Sequence, residues 1–366
     1  MEHAFRSPSY TVGVEEELMI LDAETLDCVN AIEQLLEDAP GGEIKPELME
    51  SVLEIATPPC STVAEIANEV RALRHHASDL AGRRGLRVAS AGTHPFARWE
   101  DQRIVGRPRY RALVDELAFV ARQELVFGMH VHVGIDDPET AIAVANGLRE
   151  HVPVLVALSA NSPFWRGEDT GMLSARVPIF KSFPRVGIPP FYRHWEDYQR
   201  RVARLVAGRL VEDYTYLWYD VRPHPKLGTV EIRAMDAQTR VEHTVCLTAL
   251  IQSLVRCLAE AHAAGAEAVD HPAELLEANK WVAARWGLGG RVLDPATETV
   301  VRLGKLSVLL LDRLAEHAED LGCAAELEGV GDLLEHGNGA ERQRLVYGTN
   351  RDLCELTREI IAASAA

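Results

Sequence analysis

Apolar and charged residues alternate with a period of two in three separate segments of this chain. Each such segment predicts a strand with one apolar and one charged face. Within Thr11 to Leu21 the alternation puts Glu15 and Glu17 on one side. Within Gly128 to Ile135 it puts His130 and His132 together, with Met129, Val131 and Val133 opposite. Within Thr229 to Ala234, Glu231 and Arg233 point away from Val230 and Ile232. One strand of this kind describes any solvated sheet surface. Three of them, carrying acids and histidines, suggest one sheet whose polar face lines a cavity.

The intervening pattern supplies the other elements. Lys45 to Thr57 reads as a further polar-studded strand stopped by Pro58-Pro59. Ser61 and Thr62 are cap candidates for a helix to about Arg84, and Glu65 stands three residues after Thr62 as in a capping box. A short strand follows at Leu86 to Ala91, then a helix from Arg109 to Leu125 leading into the His130 strand. Pro138 opens a helix to about Ala160, kinked at Pro153. Asn161 to Pro190 is irregular and rich in Gly and Pro; strands at Tyr216 to Val221 and Thr229 to Ala234 read as a hairpin. From Val241 onward the chain reads as helices broken at His271-Pro272, Gly287 to Gly290 and Gly329 to Gly331. Unequal helices between strands, then a helical final third, predict an α+β fold with a mainly antiparallel sheet. The expected organisation is one domain over residues 1–366, with a sheet-bearing core at 10–240 and a helical part at 241–366 packed on it. No Gly-x-Gly-x-x-Gly follows a strand and no Gly-x4-Gly-Lys-Ser/Thr occurs, so neither common nucleotide-binding loop is present.

Composition narrows the partners. A chain of 366 residues with 47% hydrophobic and 25% charged residues can bury a large core. Its net charge of −17 argues against nucleic acid or an anionic membrane as partner. The six cysteines are scattered without a Cys-x-x-Cys pair, which predicts reduced thiols. Met1 to Pro8 has no apolar signal core, and no uncharged stretch is long enough to span a membrane, so a cytoplasmic location is expected. A homodimer is the default assembly.

Carboxylates outnumber imidazoles in the three charged faces and no cysteine joins them. Mostly oxygen donors suit Mg²⁺ or Mn²⁺ better than Zn²⁺. The setting favours a site over a solvated face: Glu54 follows Val52 and Leu53 and precedes Ile55, and His130 lies among hydrophobic residues. Acids held in apolar runs need a charge partner. Arg233, beside Glu231, suits bidentate contact with a carboxylate or phosphate, or serves as a counter-ion for the acids. From Asn161 to Arg193 the cations Arg166, Arg176, Lys181, Arg185 and Arg193 face only Glu168 and Asp169, a net +3 that could close over an anion. A surface loop with scattered arginines is the alternative. Two other functions stay open at this point: a zinc hydrolase built on His130 and His132, and a binding protein without turnover.

An ordered set of motifs then resembles a known family. The set comprises Gly13-Val14-Glu15-Glu16-Glu17; Glu47-x6-Glu54 with Ile55-Ala56-Thr57; and Gly128-Met129-His130-Val131-His132-Val133-Gly134. It continues with Asn161-Ser162-Pro163-Phe164-Trp165, Asp169-Thr170-Gly171 and Glu231-Ile232-Arg233-Ala234-Met235-Asp236. Together, over roughly residues 10–285, they resemble the type 2 glutamate–cysteine ligase family of carboxylate–amine ligases. The resemblance implies a glutamine synthetase-like fold with a funnel-shaped active site. It implies ATP- and Mg²⁺-dependent joining of a carboxylate to an amine through an acyl phosphate; a glutamate-like acid and a cysteine-like amine are the expected partners, though acid and amine differ among family members. Carried over by position, Glu15, Glu17, Glu47, Glu54, His130 and Glu231 become metal ligands. Arg233 becomes the residue that stabilises the transferring phosphoryl group, and Glu54 is required for turnover. His132 and Arg176 become contacts to nucleotide or substrate. Glu50 falls off the ligand spacing, and Glu16 is expected on the opposite face.

Overall fold

The alternation along the charged strands is realised in one antiparallel sheet. The computed structural model describes residues 2–6, 10–39, 41–42 and 44–365, so Met1, Ser7 and Pro8 of the N-terminal stretch lie outside the described residues. In chain order the strands are β1 (Val12–Asp22), β2 (Ile44–Pro46), β3 (Val52–Ala56), β4 (Leu86–Ala89), β5 (Gly128–Gly134) and β6 (Phe164–Trp165). They continue with β7 (Glu168–Asp169), β8 (Val221–His224), β9 (Thr229–Asp236), β10 (Arg291–Asp294) and β11 (Thr299–Arg302). The main sheet runs β2-β3-β1-β5-β9-β8, with β4 paired to the far end of β1.

Val12 and Val14 of β1, Met129, Val131 and Val133 of β5, and Val230 and Ile232 of β9 join one apolar core. Side chains of the helices Val63–Arg83, Pro138–Leu148, Val152–Ser159 and Val241–Ala263 complete it. Each buried aliphatic side chain contributes about 1.5–3 kcal/mol. A slip of one residue would exchange that face for the charged one, so the register is strongly specified. Glu16 shares the helix-covered side and is neutralised there. Arg74 holds both its oxygens at 2.8 Å, Thr244 donates its hydroxyl at 2.6 Å, and Arg74 also donates to the carbonyls of Gln238 and Thr239.

Several sequence-based boundaries move, each for a local reason. Lys45 to Thr57 is two strands, β2 and β3, because Pro46 has no N–H to continue a ladder. The Arg109 helix breaks at Ala118 (φ 52°) into Pro108–Leu117 and Phe119–Arg122; alanine, a strong helix former, gives no sign of this. The Pro138 helix ends at Leu148, and Arg149–His151 tightens to a 3-10 turn ahead of Pro153, whose ring crowds the carbonyl four residues back. The capping box at Thr62 and Glu65 forms as expected. In the hairpin, Tyr214–Tyr216 is a 3-10 turn and β8 starts at Val221. Gly228 closes that hairpin at φ +68°, where a Cβ would lie 2.3 Å from the Ala4 carbonyl oxygen. The helical final third contains the β10–β11 hairpin, turned by Asp294, which accepts from Ala296 N and Thr297 Oγ1.

Two helical runs, Pro138–Ser159 and Val241–Ala263, prove long and apolar enough to cross a membrane by length and composition. In this fold 78% and 72% of their apolar windows are buried, as core helices.

Candidate active site

The face opposite the helices carries the chemistry. Across the sheet, Lys45, Glu54 and Glu17 stand in register on β2, β3 and β1. Glu15 stands opposite His130, and His132, Glu231 and Arg222 form a third row on β5, β9 and β8. Directly opposed residues share a face, so pairing alone gathers these side chains. A β-bulge between Met129 and Val131 shifts the register and brings Arg233 beside His130. Glu15, Glu17, Glu47, Glu54, His130, Arg176 and Arg233 line one cleft, and Glu231 and His132 are buried beneath them. All the residues named from the sequence are therefore brought together. Glu16 is not among them.

The acids are crowded. Burial, then Glu15, pushes the Glu54 carboxyl up to about 7, while Lys45 at 3.1 Å pulls against this. Burial, then Glu54 and Glu17, raises Glu47 well above the ordinary range. Glu15 goes the other way: burial opposes its charge, but His130 and His132 beside it outweigh burial and lower it. Glu231 is also lowered against burial, by Arg222 and Arg233. Burial and Arg233 lower His130, whereas Glu231 and Glu15 raise His132 against burial.

His130 Nδ1 lies 3.3 Å from Glu15 Oε2 and its Nε2 lies 4.0 Å from Glu17 Oε1. His132 Nδ1 meets Thr229 Oγ1 at 3.1 Å, and its Nε2 stands 3.7 Å from Glu15 and 3.8 Å from Glu231. Both Nε2 atoms are buried without a hydrogen-bond partner. Orphaned imidazole nitrogens facing carboxylates that repel one another fit a divalent cation. The donor atoms of Glu15, His132 and Glu231 all lie within 4.8 Å of one another, so His132 is as well placed for a ligand role as His130. The excess of oxygen donors suits Mg²⁺ or Mn²⁺.

A second cluster, Asp27, Cys28 and His94, has similar spacing. Its imidazole is fully engaged: Nε2 meets the Leu26 carbonyl at 2.9 Å and Nδ1 accepts from Phe96 N and Ala97 N. It is structural.

Of the five loop cations only Arg176 reaches the cleft. Arg166 pairs with Glu100, Lys181 with Glu277 and Arg185 with Glu116, and Arg193 is exposed, so the expected cationic cover reduces to one residue. Arg176 is held from behind. Its N–H donates to Ser162 Oγ, and Ser162, Ser174 and the Asn161 N–H all donate to buried Asp236 at 2.6–2.8 Å. Asn161, Ser162 and Asp236 of the resembling motifs thus serve position. Gly128 makes room, since a Cβ there would lie 2.5 Å from Arg176 Nη2.

Sequence reasoning missed Glu124, Arg222 and Thr229. Glu124 lines the cleft and is pushed up to about 8 by burial and Glu17, against Arg176 and Arg233. Nothing in its sequence surroundings signals this. Arg222 and Thr229 could have been found by pairing β8 and β9 in register with His132 and Glu231.

This sheet, with its charged face open and its apolar face backed by helices, is a fold shared with solved ligases. The glutamate–cysteine ligase of Francisella tularensis, solved with AMP, superposes with a TM-score of 0.73 at 13% identity, covering 100% of this chain and 90% of that one. A bifunctional glutathione synthetase of Pasteurella multocida gives 0.67 at 15% identity, covering 98% of this chain and 51% of that one. Residues 11–359 match glutamate-cysteine ligase family 2 (GCS2), and the chain belongs to that family. A protein of Rubrobacter xylanophilus with the provisional name glutamate–cysteine ligase 2-1 is 43% identical, covering 99% of this chain and 96% of its own. A Sorangium cellulosum protein provisionally named glutamate–cysteine ligase 2 is 40% identical over 97% and 96%.

Proposed function

We propose that this ligase joins a small carboxylic acid to an amine with ATP and Mg²⁺, through an acyl phosphate. The observation that carries the reading is the carboxylate floor with two orphaned imidazole nitrogens beside Arg233, whose own Nε is buried without a partner. Glu15, Glu17, Glu47, Glu54, His130 and Glu231 would hold the metal, with His132 joining Glu15 and Glu231. When bound, the metal supplies positive charge that offsets phosphate and carboxylate. Arg233 and Arg176 bring guanidinium N–H groups to the transferring phosphoryl group and the substrate carboxylate. The γ-phosphoryl group passes to a carboxylate oxygen and ADP leaves. The amine nitrogen then attacks the acyl carbon, loses a proton, and phosphate departs as the amide forms. The relatives' names support a glutamate-like acid and a cysteine-like amine; we read the chain as one cytoplasmic domain acting on small molecules.

The test is phosphate release from ATP with Mg²⁺, screening acids against amines. Release requiring both, with an amide in the mass spectrum, is expected. Turnover without any acid would defeat the reading.

A further inference from the structure

We infer that Arg222 is a positioning residue of the ligase reaction, acting on Arg233 through Glu231; the inference rests on the functional reading above. Arg222 lies on the edge strand β8, directly opposite Glu231. Its Nε and Nη2 grip the two Glu231 oxygens at 2.7 and 3.1 Å in a two-point fork. Its Nη1 donates to the carbonyls of Thr215 and Leu217 at 2.8 and 3.3 Å. The Arg222 side chain is 8% exposed and that of Glu231 1%, so neither can exchange these contacts for water.

The consequence falls on Arg233. Because Arg222 holds both carboxylate oxygens, Arg233 touches Glu231 through Nη1 alone, at 2.5 Å, and its Nε has no partner. The nitrogens left over are those a phosphoryl group needs. Without Arg222, the buried Glu231 charge would have Arg233 as its only arginine partner among the described residues. Buried carboxylates draw such a partner into a two-point pair. Arg233 would then be folded back onto the floor. The same guanidinium ties the floor to the 3-10 turn Tyr214–Tyr216, whose Thr215 and Tyr216 line the cleft.

The experiment compares the full-length protein with Arg222→Gln and Arg222→Lys, each checked for folding by thermal melting. In Arg222→Gln, kcat per folded molecule should fall about 10- to 100-fold, the usual cost of losing a supporting partner, with KM for ATP little changed. Arg222→Lys restores the charge without the fork and should recover part of kcat; millimolar ethylguanidinium should recover part of it in Arg222→Ala. A crystal structure of Arg222→Gln should show Arg233 in a two-point pair with Glu231. A purely structural role would lower the melting temperature and leave kcat per folded molecule unchanged, which overturns the inference. So would an Arg233 that keeps its single-nitrogen contact. If the wild type shows no ATP turnover, the functional reading falls, and the crystal structure still decides the positioning claim.

Discussion

Adjacent glutamates on β1 should fail in opposite ways. Glu16 faces the helices and Glu17 faces the cleft. Glu16→Gln strips the charge from a carboxylate bound twice by Arg74 and once by Thr244, leaving a buried guanidinium uncompensated. Breaking such a pair costs about 3–5 kcal/mol. The Gln238 and Thr239 carbonyls still accept from Arg74, which points to the lower end, about 3 kcal/mol. At ~2.1 cal/mol/K per residue, unfolding 366 residues carries roughly 0.8 kcal/mol/K of entropy, so the melting temperature should fall by about 4 °C. Turnover per folded molecule should stay near wild type. Glu17→Gln removes a charge that helps push Glu47 and Glu124 up. It should leave the metal-free melting temperature unchanged or higher, and lower turnover by more than about 100-fold, beyond the cost of an outer partner. Calorimetry and a coupled phosphate assay on both variants decide this. Equal melting shifts, or turnover lost in Glu16→Gln and kept in Glu17→Gln, would refute the assignment of faces.

Three further outcomes follow from the site. Glu54 and Glu124 bind protons more tightly folded than unfolded, so the stability they lend is full below the ordinary carboxylate range and is lost as pH rises towards about 7 and 8. Metal-free protein should melt lower at pH 8 than at pH 6, and millimolar Mg²⁺ should restore most of the difference; a melting temperature that rises over that interval contradicts the crowding. Gly128→Ala inserts a Cβ 2.5 Å from Arg176 Nη2 and 3.1 Å from His130 Nε2, so it should cost about 1–3 kcal/mol and raise KM, measured by melting and initial rates. Asp236→Ala removes three hydrogen bonds that anchor the 161–176 segment and should make that segment sensitive to limited proteolysis while lowering turnover; unchanged protection would separate Asp236 from Arg176.

The floor was legible because strand alternation is local. Glu15, His130 and Glu231 could be placed on one face from period two alone, and their apolar neighbours assigned the other face to the core. The order of strands was not legible, since β5 lies between β1 and β9 through long-range pairing that no local pattern encodes. Arg222 therefore fell just past the expected strand at Tyr216 to Val221, in its turn, and Glu124 lay at the end of an expected helix. The 161–193 loop misled in the other direction. Its net charge was visible, but Glu100, Glu116 and Glu277, which absorb it, come from distant segments. Helix breaks were legible where proline causes them and hidden where Ala118 does.

The most direct test of the acyl phosphate uses an acid substrate labelled with heavy oxygen in its carboxylate, with ATP, Mg²⁺ and an amine. One labelled oxygen should appear in each phosphate released, in step with amide formation. Unlabelled phosphate alongside amide, or label recovered in AMP, would contradict phosphoryl transfer to the carboxylate and with it the role given to Arg233.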